Sequence, residues 1–197
     1  MSTADGTTWT APRVIAAAVK PSDRPGMAVT SRLGDGSYLL SYEHCSTAGL
    51  DCRVAFKRSA DGLDWGNAAV RGEEPKAADG RYFRHAPTQV WLPARQRLAL
   101  VGQILFTAAG QVDAAGNGGT VFLSSTADGS GPWTAMAAPL KVLNPPAATN
   151  WCQNYSSPMQ PSADGSKLIM LVSDFELDAR GQQVCRTRFA SAAVPAP

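Results

Sequence analysis

Three groups of polar side chains flank strand-like apolar runs, and these are the residues able to do chemistry. Arg24 goes with Tyr42-Glu43-His44, Arg84-His85 with Gln103, and Asn154-Tyr155 with Ser173-Asp174. Glu43 stands foremost. It ends the apolar run Tyr38-Leu39-Leu40-Ser41-Tyr42 and precedes Cys45 and Cys52, which bracket a short loop and could staple it. A carboxylate held rigidly at a strand end can be the nucleophile or the general acid of glycoside hydrolysis, which needs two carboxyl groups flanking the scissile bond. It can equally be a solvated glutamate paired with Arg24. Asp174 and Glu176 are the candidates for a second carboxyl, although Asp174-Phe175-Glu176-Leu177-Asp178 also reads as an exposed loop.

Other chemistries find no support in the sequence. It holds no GxGxxG, P-loop, HExxH or Gly-x-Ser-x-Gly pattern. Two histidines, His44 and His85, are too few for a metal cluster, so no metal and no cofactor is expected. With 18 basic and 16 acidic residues in 197, the net charge of +2 argues against a dedicated nucleic-acid binder. A hydrophobic share of 44% against 17% charged argues against disorder. The longest apolar stretches, such as 14–19, are too short to cross a bilayer. The four cysteines suggest two disulfides, Cys45 with Cys52 and Cys152 with Cys185, and hence an oxidising compartment; four free thiols are the alternative. Residues 1–6 lack the features of a signal peptide, so either a signal was removed or the chain is part of a longer one.

The elements that must position these residues repeat along the chain. Thr3-Ala4-Asp5-Gly6-Thr7-Thr8-Trp9 recurs as Ser59-Ala60-Asp61-Gly62-Leu63-Asp64-Trp65 and, one residue longer, as Thr126-Ala127-Asp128-Gly129-Ser130-Gly131-Pro132-Trp133. Asp-Gly makes the tight turn, the Asp and Ser/Thr side chains bond back to turn amides, and the Trp is expected to plug the hairpin base. Between these turns lie three hairpins, over 27–42, 88–101 and 159–172. Third strands follow at 53–58 and 120–124, and each turn should lead into a fourth strand, such as Arg13-Val14-Ile15. No 3.6-residue apolar period runs for three turns. The expected fold is all-β, a β-propeller of four-stranded antiparallel blades.

The Ser/Thr-x-Asp-Gly-x-x-Trp turns resemble the Asp-box (BNR) repeats of the sialidase-type propeller superfamily. More narrowly, Arg24-Pro25-Gly26-Met27 with Tyr42-Glu43, and Cys152-Gln153-Asn154-Tyr155-Ser156-Ser157-Pro158, are similar to the exo-1,5-α-L-arabinanase family. A six-bladed ring of such blades needs roughly 300 residues. The chain therefore reads as about three and a half blades, the C-terminal part of a larger propeller. Residues 1–191 form the partial propeller, and 192–197 a tail or the start of a linker. Missing N-terminal blades or self-association would cover its open sheet edges.

The resemblance implies a secreted, exo-acting glycoside hydrolase on a neutral sugar polymer such as 1,5-linked arabinan, working through a covalent glycosyl-enzyme intermediate. Glu43 is then a catalytic carboxylate. Arg24, Tyr42, Arg84, His85, Gln103 and Asp174 would bind substrate at the rim, and Tyr155 would orient the sugar. The alternatives are a sialidase with Tyr155 as nucleophile and a non-catalytic propeller that binds glycans or proteins. A sialidase uses three arginines to hold the sialate carboxylate. Here Arg24 and Arg84 occupy what reads as equivalent positions, while the third repeat offers Tyr155 or Ser156.

Overall fold

The structure, a computed structural model, describes residues 1–46, 52–111, 119–136 and 158–194, with backbone alone at 86, 103–106, 119, 173–176, 183 and 185. Among the described residues there are ten strands and no helix. All three expected hairpins form. They are β1 (Arg24–Arg32) with β2 (Tyr38–Cys45), β4 (Tyr82–Leu92) with β5 (Arg97–Phe106), and β8 (Met159–Pro161) with β9 (Lys167–Leu177). The third strands are β3 (Cys52–Ser59), β6 (Gly119–Ser124) and β10 (Gln183–Ala193); β7 (Trp133–Ala135) completes the second blade. The strands β1 to β7 hydrogen-bond in chain order, but β3 meets β4 at one pair only, Arg53↔Arg84. That single link marks the boundary between two blades.

Each blade buries its face against the next. Leu39, Val54 and Phe56 of the first blade pack on Phe83, Leu98, Leu100, Phe122 and Trp133 of the second. Leu92, Ala99, Val101 and Val121 of the second then meet Leu168, Met170, Val172 and Ala192 of the third. Gln89, buried on β4, reaches into the first blade and donates from Nε2 to the Leu39 carbonyl at 2.7 Å. The innermost strands β1, β4 and β8 lie side by side, β4 in the middle.

The first two repeated turns share a hydrogen-bond pattern, and all three a left-handed glycine, with φ of 75°, 76° and 76° at Gly6, Gly62 and Gly129. In the second turn Asp61 Oδ1 accepts from the Leu63 and Asp64 amides at 2.8 and 2.9 Å, and Ser59 Oγ from Gly62 at 2.9 Å. In the first, Asp5 Oδ1 accepts from Thr7 and Thr8, each at 2.8 Å. Their tryptophans differ. Trp133 is fully buried and Trp65 nearly so, whereas Trp9 is 56% exposed and plugs nothing.

Three expectations need correction. Arg13-Val14-Ile15 forms no strand, because its neighbourhood spends its backbone groups elsewhere: Lys57 Nζ donates to the Ile15 carbonyl at 2.9 Å and Ala17 to Ala68 at 2.9 Å. The fourth strand after the second turn shrinks to one pair, Phe56↔Glu73. The tail does not begin at 192: β10 runs through Ala193, and Val194 is buried, donating to the Ser166 carbonyl at 3.0 Å. Burial of Ala192 and Val194 between blades holds this end down.

Candidate functional site

Alternation along β2 decides which side chains face the second blade. Leu40 and Tyr42 point to the side covered by Ile15 and Ala16. Leu39, Ser41 and Glu43 point the other way, and Ser41 Oγ donates to the Pro87 carbonyl of β4 at 3.3 Å. Glu43 is one step further along that face, opposite Gly26 in the ladder. Its side chain is only 2% exposed.

Two cationic or titratable groups meet it there. Arg24 Nη1 lies 3.1 Å from Oε1, and His85 Nδ1 lies 3.4 Å from Oε2. Arg24 itself is 66% exposed and so lies over the carboxylate like a cover. Its Nη2 also donates to Cys45 Sγ at 3.1 Å. Cys45 and Cys52 form the expected disulfide, directly across the β2–β3 ladder. The three ligand atoms of Glu43, Cys45 and Cys52 lie within 4.8 Å of one another, but bonded sulfurs cannot serve as thiolate metal ligands. Behind them, buried His44 sits 3.8 Å from Asp23, whose carboxyl is held below its ordinary value chiefly by the Lys20 backbone N–H.

The other sequence candidates divide. Tyr42 is buried and its hydroxyl accepts from the Gly72 amide at 3.1 Å, so it supports the wall and faces no solvent. Arg84 is half-buried on β4. It pairs with Gln103 across the β4–β5 ladder, as Arg24 pairs with Cys45 across β1–β2. Gln103 and Asp174 lie on β5 and β9, at backbone positions only. Tyr155 and Cys152 lie outside the described residues, and Cys185 is placed by its backbone on β10.

Beyond Glu43 the three inner strands frame a trough of about 710 Å³. Its walls are Val29 to Arg32, Thr88 to Trp91, and Pro158, Met159 and Pro161. Thr30 and the Trp91 ring line it, while the Thr88 hydroxyl is buried and Ser31 Oγ donates to the Gln89 carbonyl at 3.1 Å, so the trough is chiefly apolar and suits the apolar face of a sugar. The trough begins one bulge past Gly26 and His85, which puts Glu43 at its end and not on its floor.

Sequence reasoning brought Arg24, Glu43 and His85 into one list, and the structure brings them into contact. It missed the two backbone bulges that make the contact, between Gly26 and Val29 on β1 and between Arg84 and Thr88 on β4. Their only sequence trace is the pair of Pro and Gly residues near them, Pro25-Gly26 and Pro87.

No protein-family model matches the sequence, and no characterised protein matches it in sequence. Solved structures do match. The α-L-arabinanase of Penicillium chrysogenum, complexed with arabinobiose, aligns with a TM-score of 0.58 at 19% identity over 88% of this chain and 44% of that one. The GH93 α-L-arabinofuranosidase of Fusarium graminearum with arabinobiose gives 0.59 at 15% identity, over 89% and 45%. The Fusarium enzyme with an iminosugar inhibitor gives 0.58 at 16%, over 89% and 45%. The chain spans less than half the length of these enzymes. Its fold is that of a partial β-propeller with four-stranded antiparallel blades, similar to arabinan-acting glycoside hydrolases.

Proposed function

We propose that the chain carries part of the active face of an exo-acting glycoside hydrolase on a neutral sugar polymer such as 1,5-linked arabinan, with Glu43 as a catalytic carboxylate. The observation that carries this reading is the placement of Glu43. It is a buried carboxylate near the end of β2, gripped from two blades by Arg24 and His85 and braced by the Cys45–Cys52 bond. The likeness to enzymes solved with arabinobiose supports the pentose class of substrate.

In this reading Glu43 serves as nucleophile or general acid toward a sugar held at the rim, with Arg24 swung aside to admit it. Arg84, Gln103, Asp174 and Tyr155 contribute from the neighbouring inner-strand ends, and Asp174 is the first candidate for the second carboxyl. Further blades supply the rest of the site, and the disulfide suits an extracytoplasmic location. An acidic sugar fits poorly. Glu43 would repel a sialate carboxylate.

A second reading, a non-catalytic glycan-binding propeller, draws on the 2% exposure of Glu43. The product profile on 1,5-arabino-oligosaccharides beside sialyl-lactose separates the readings. Release of a short arabinoside supports the hydrolase, release of sialic acid supports a sialidase, and binding without products supports the module.

A further inference from the structure

We propose that His85 is a positioning residue that fixes the Glu43 carboxylate across the blade boundary, and that the β4 bulge exists to deliver it. This rests on the reading of Glu43 as the catalytic carboxylate. The ladders of the inner strands β1 and β4 are both broken, and at each of these breaks a non-glycine residue is left-handed: Met27 at φ 52° and His85 at φ 61°. Such a conformation is disfavoured for a residue with a Cβ and persists only where its surroundings enforce it.

Here they do. The bulge spans 85–87, opposite Gly102 alone. Phe83, fully buried, presses on Gly102 so closely that a Cβ there would lie 2.7 Å from its Cδ1. On the other flank the Pro87 carbonyl is tied to Ser41 Oγ at 3.3 Å. Between these anchors the imidazole is turned toward the first blade, its side chain 14% exposed and Nδ1 3.4 Å from Glu43 Oε2. In this proposal Nδ1 carries the proton and donates to the carboxylate.

The two carboxylate oxygens thus have different tasks. Oε2 is held by His85, while Oε1 faces Arg24 Nη1 at 3.1 Å yet completes no hydrogen bond. A glutamate carboxylate rotates broadly about its last torsion, and anchoring one oxygen leaves the other aimed at whatever displaces Arg24. His85 therefore acts on the rate through Glu43, and its covered ring is a poor direct contact for a sugar.

The test uses the full chain with His85→Gly and His85→Asn. Glycine accepts the left-handed backbone and removes the ring; asparagine tolerates that backbone and returns an N–H near the place of Nδ1. On 1,5-arabinotriose the glycine variant is expected to lose about 10–100-fold in kcat with KM nearly unchanged, and the asparagine variant to recover most of it. An unchanged kcat, or a raised KM at constant kcat, overturns the proposal. A second measurement does not depend on turnover. The imidazole 15N spectrum should show the Nδ1–H tautomer of His85, reverting to Nε2–H in Glu43→Ala. An Nε2–H tautomer in the unaltered chain overturns the proposal. The Nδ1–H signature without any hydrolysis upholds the contact and sinks the reading of this chain as itself the hydrolase.

Discussion

Three turns alike in sequence differ in what their tryptophans touch, so the same substitution should have very different effects. Trp133 is fully buried in the cluster between the first and second blades, its ring meeting Phe56 edge-on at a centroid distance of 5.8 Å. Trp133→Ala leaves a cavity there, and aromatic-to-alanine changes in cores cost about 3–5 kcal/mol. In a chain of this size each kcal/mol moves the unfolding midpoint by about 2–4 °C, giving a fall of roughly 6–20 °C. Trp9, 56% exposed, should stay within about 0.5 kcal/mol of the unaltered chain as Trp9→Ala. Trp65, 9% exposed and donating from Nε1 to the Gly62 carbonyl at 3.0 Å, should fall nearer Trp133. Urea and thermal unfolding followed by far-UV circular dichroism measure all three. Equal losses for Trp9→Ala and Trp133→Ala would refute the argument that burial between blades, and not the turn itself, carries the stability.

Acid should weaken the turns in a defined window. Burial pushes the Asp128 carboxyl up, but bonds from Ser130 and Thr126 and the nearby Arg58 outweigh it and bring it down to about 2; Asp164, bonded by Ser162 and Ser166, also falls to about 2. A depressed folded value means the contribution is present above the ordinary value of 3.8 and is lost as pH falls toward 2, so the urea midpoint should drop across that range and Asp128→Asn should flatten the drop. Reducing the Cys45–Cys52 bond, with its sequence separation of 7, should cost about 2–3 kcal/mol by chain entropy, read as a lower urea midpoint with dithiothreitol. Gly72→Ala should be more damaging than Gly66→Ala in the same assay. A Cβ at 72 would sit 1.9 Å from the Phe56 carbonyl oxygen, while position 66 is open and carries only the strain of φ 70°.

Much of this architecture was legible because its signals are local. Asp35-Gly36 and Asp164-Gly165 announce their hairpins, since a turn that needs positive φ selects its residues directly, and both glycines adopt it, at 89° and 68°. The Cys45–Cys52 staple was legible for the same reason. What the sequence hid depends on partners distant along the chain. Nothing near Trp9 says that no strand will cover it, and nothing in Arg13-Val14-Ile15 says that Lys57 will capture its carbonyl before a ladder can. The bulges in β1 and β4 were hidden because sequence spacing assumes unbroken ladders. His85 illustrates the same limit: a histidine at positive φ has no sequence signature, although its consequence is the contact with Glu43.

The most direct test of the account is Glu43→Gln, nearly isosteric but without the charge that catalysis needs. Turnover of 1,5-arabino-oligosaccharides should fall by several orders of magnitude, while affinity for arabinobiose, measured by calorimetry, stays within a few-fold of the unaltered chain. Retained turnover in the glutamine variant would contradict a catalytic role for Glu43 and leave it as a buried tie between two blades.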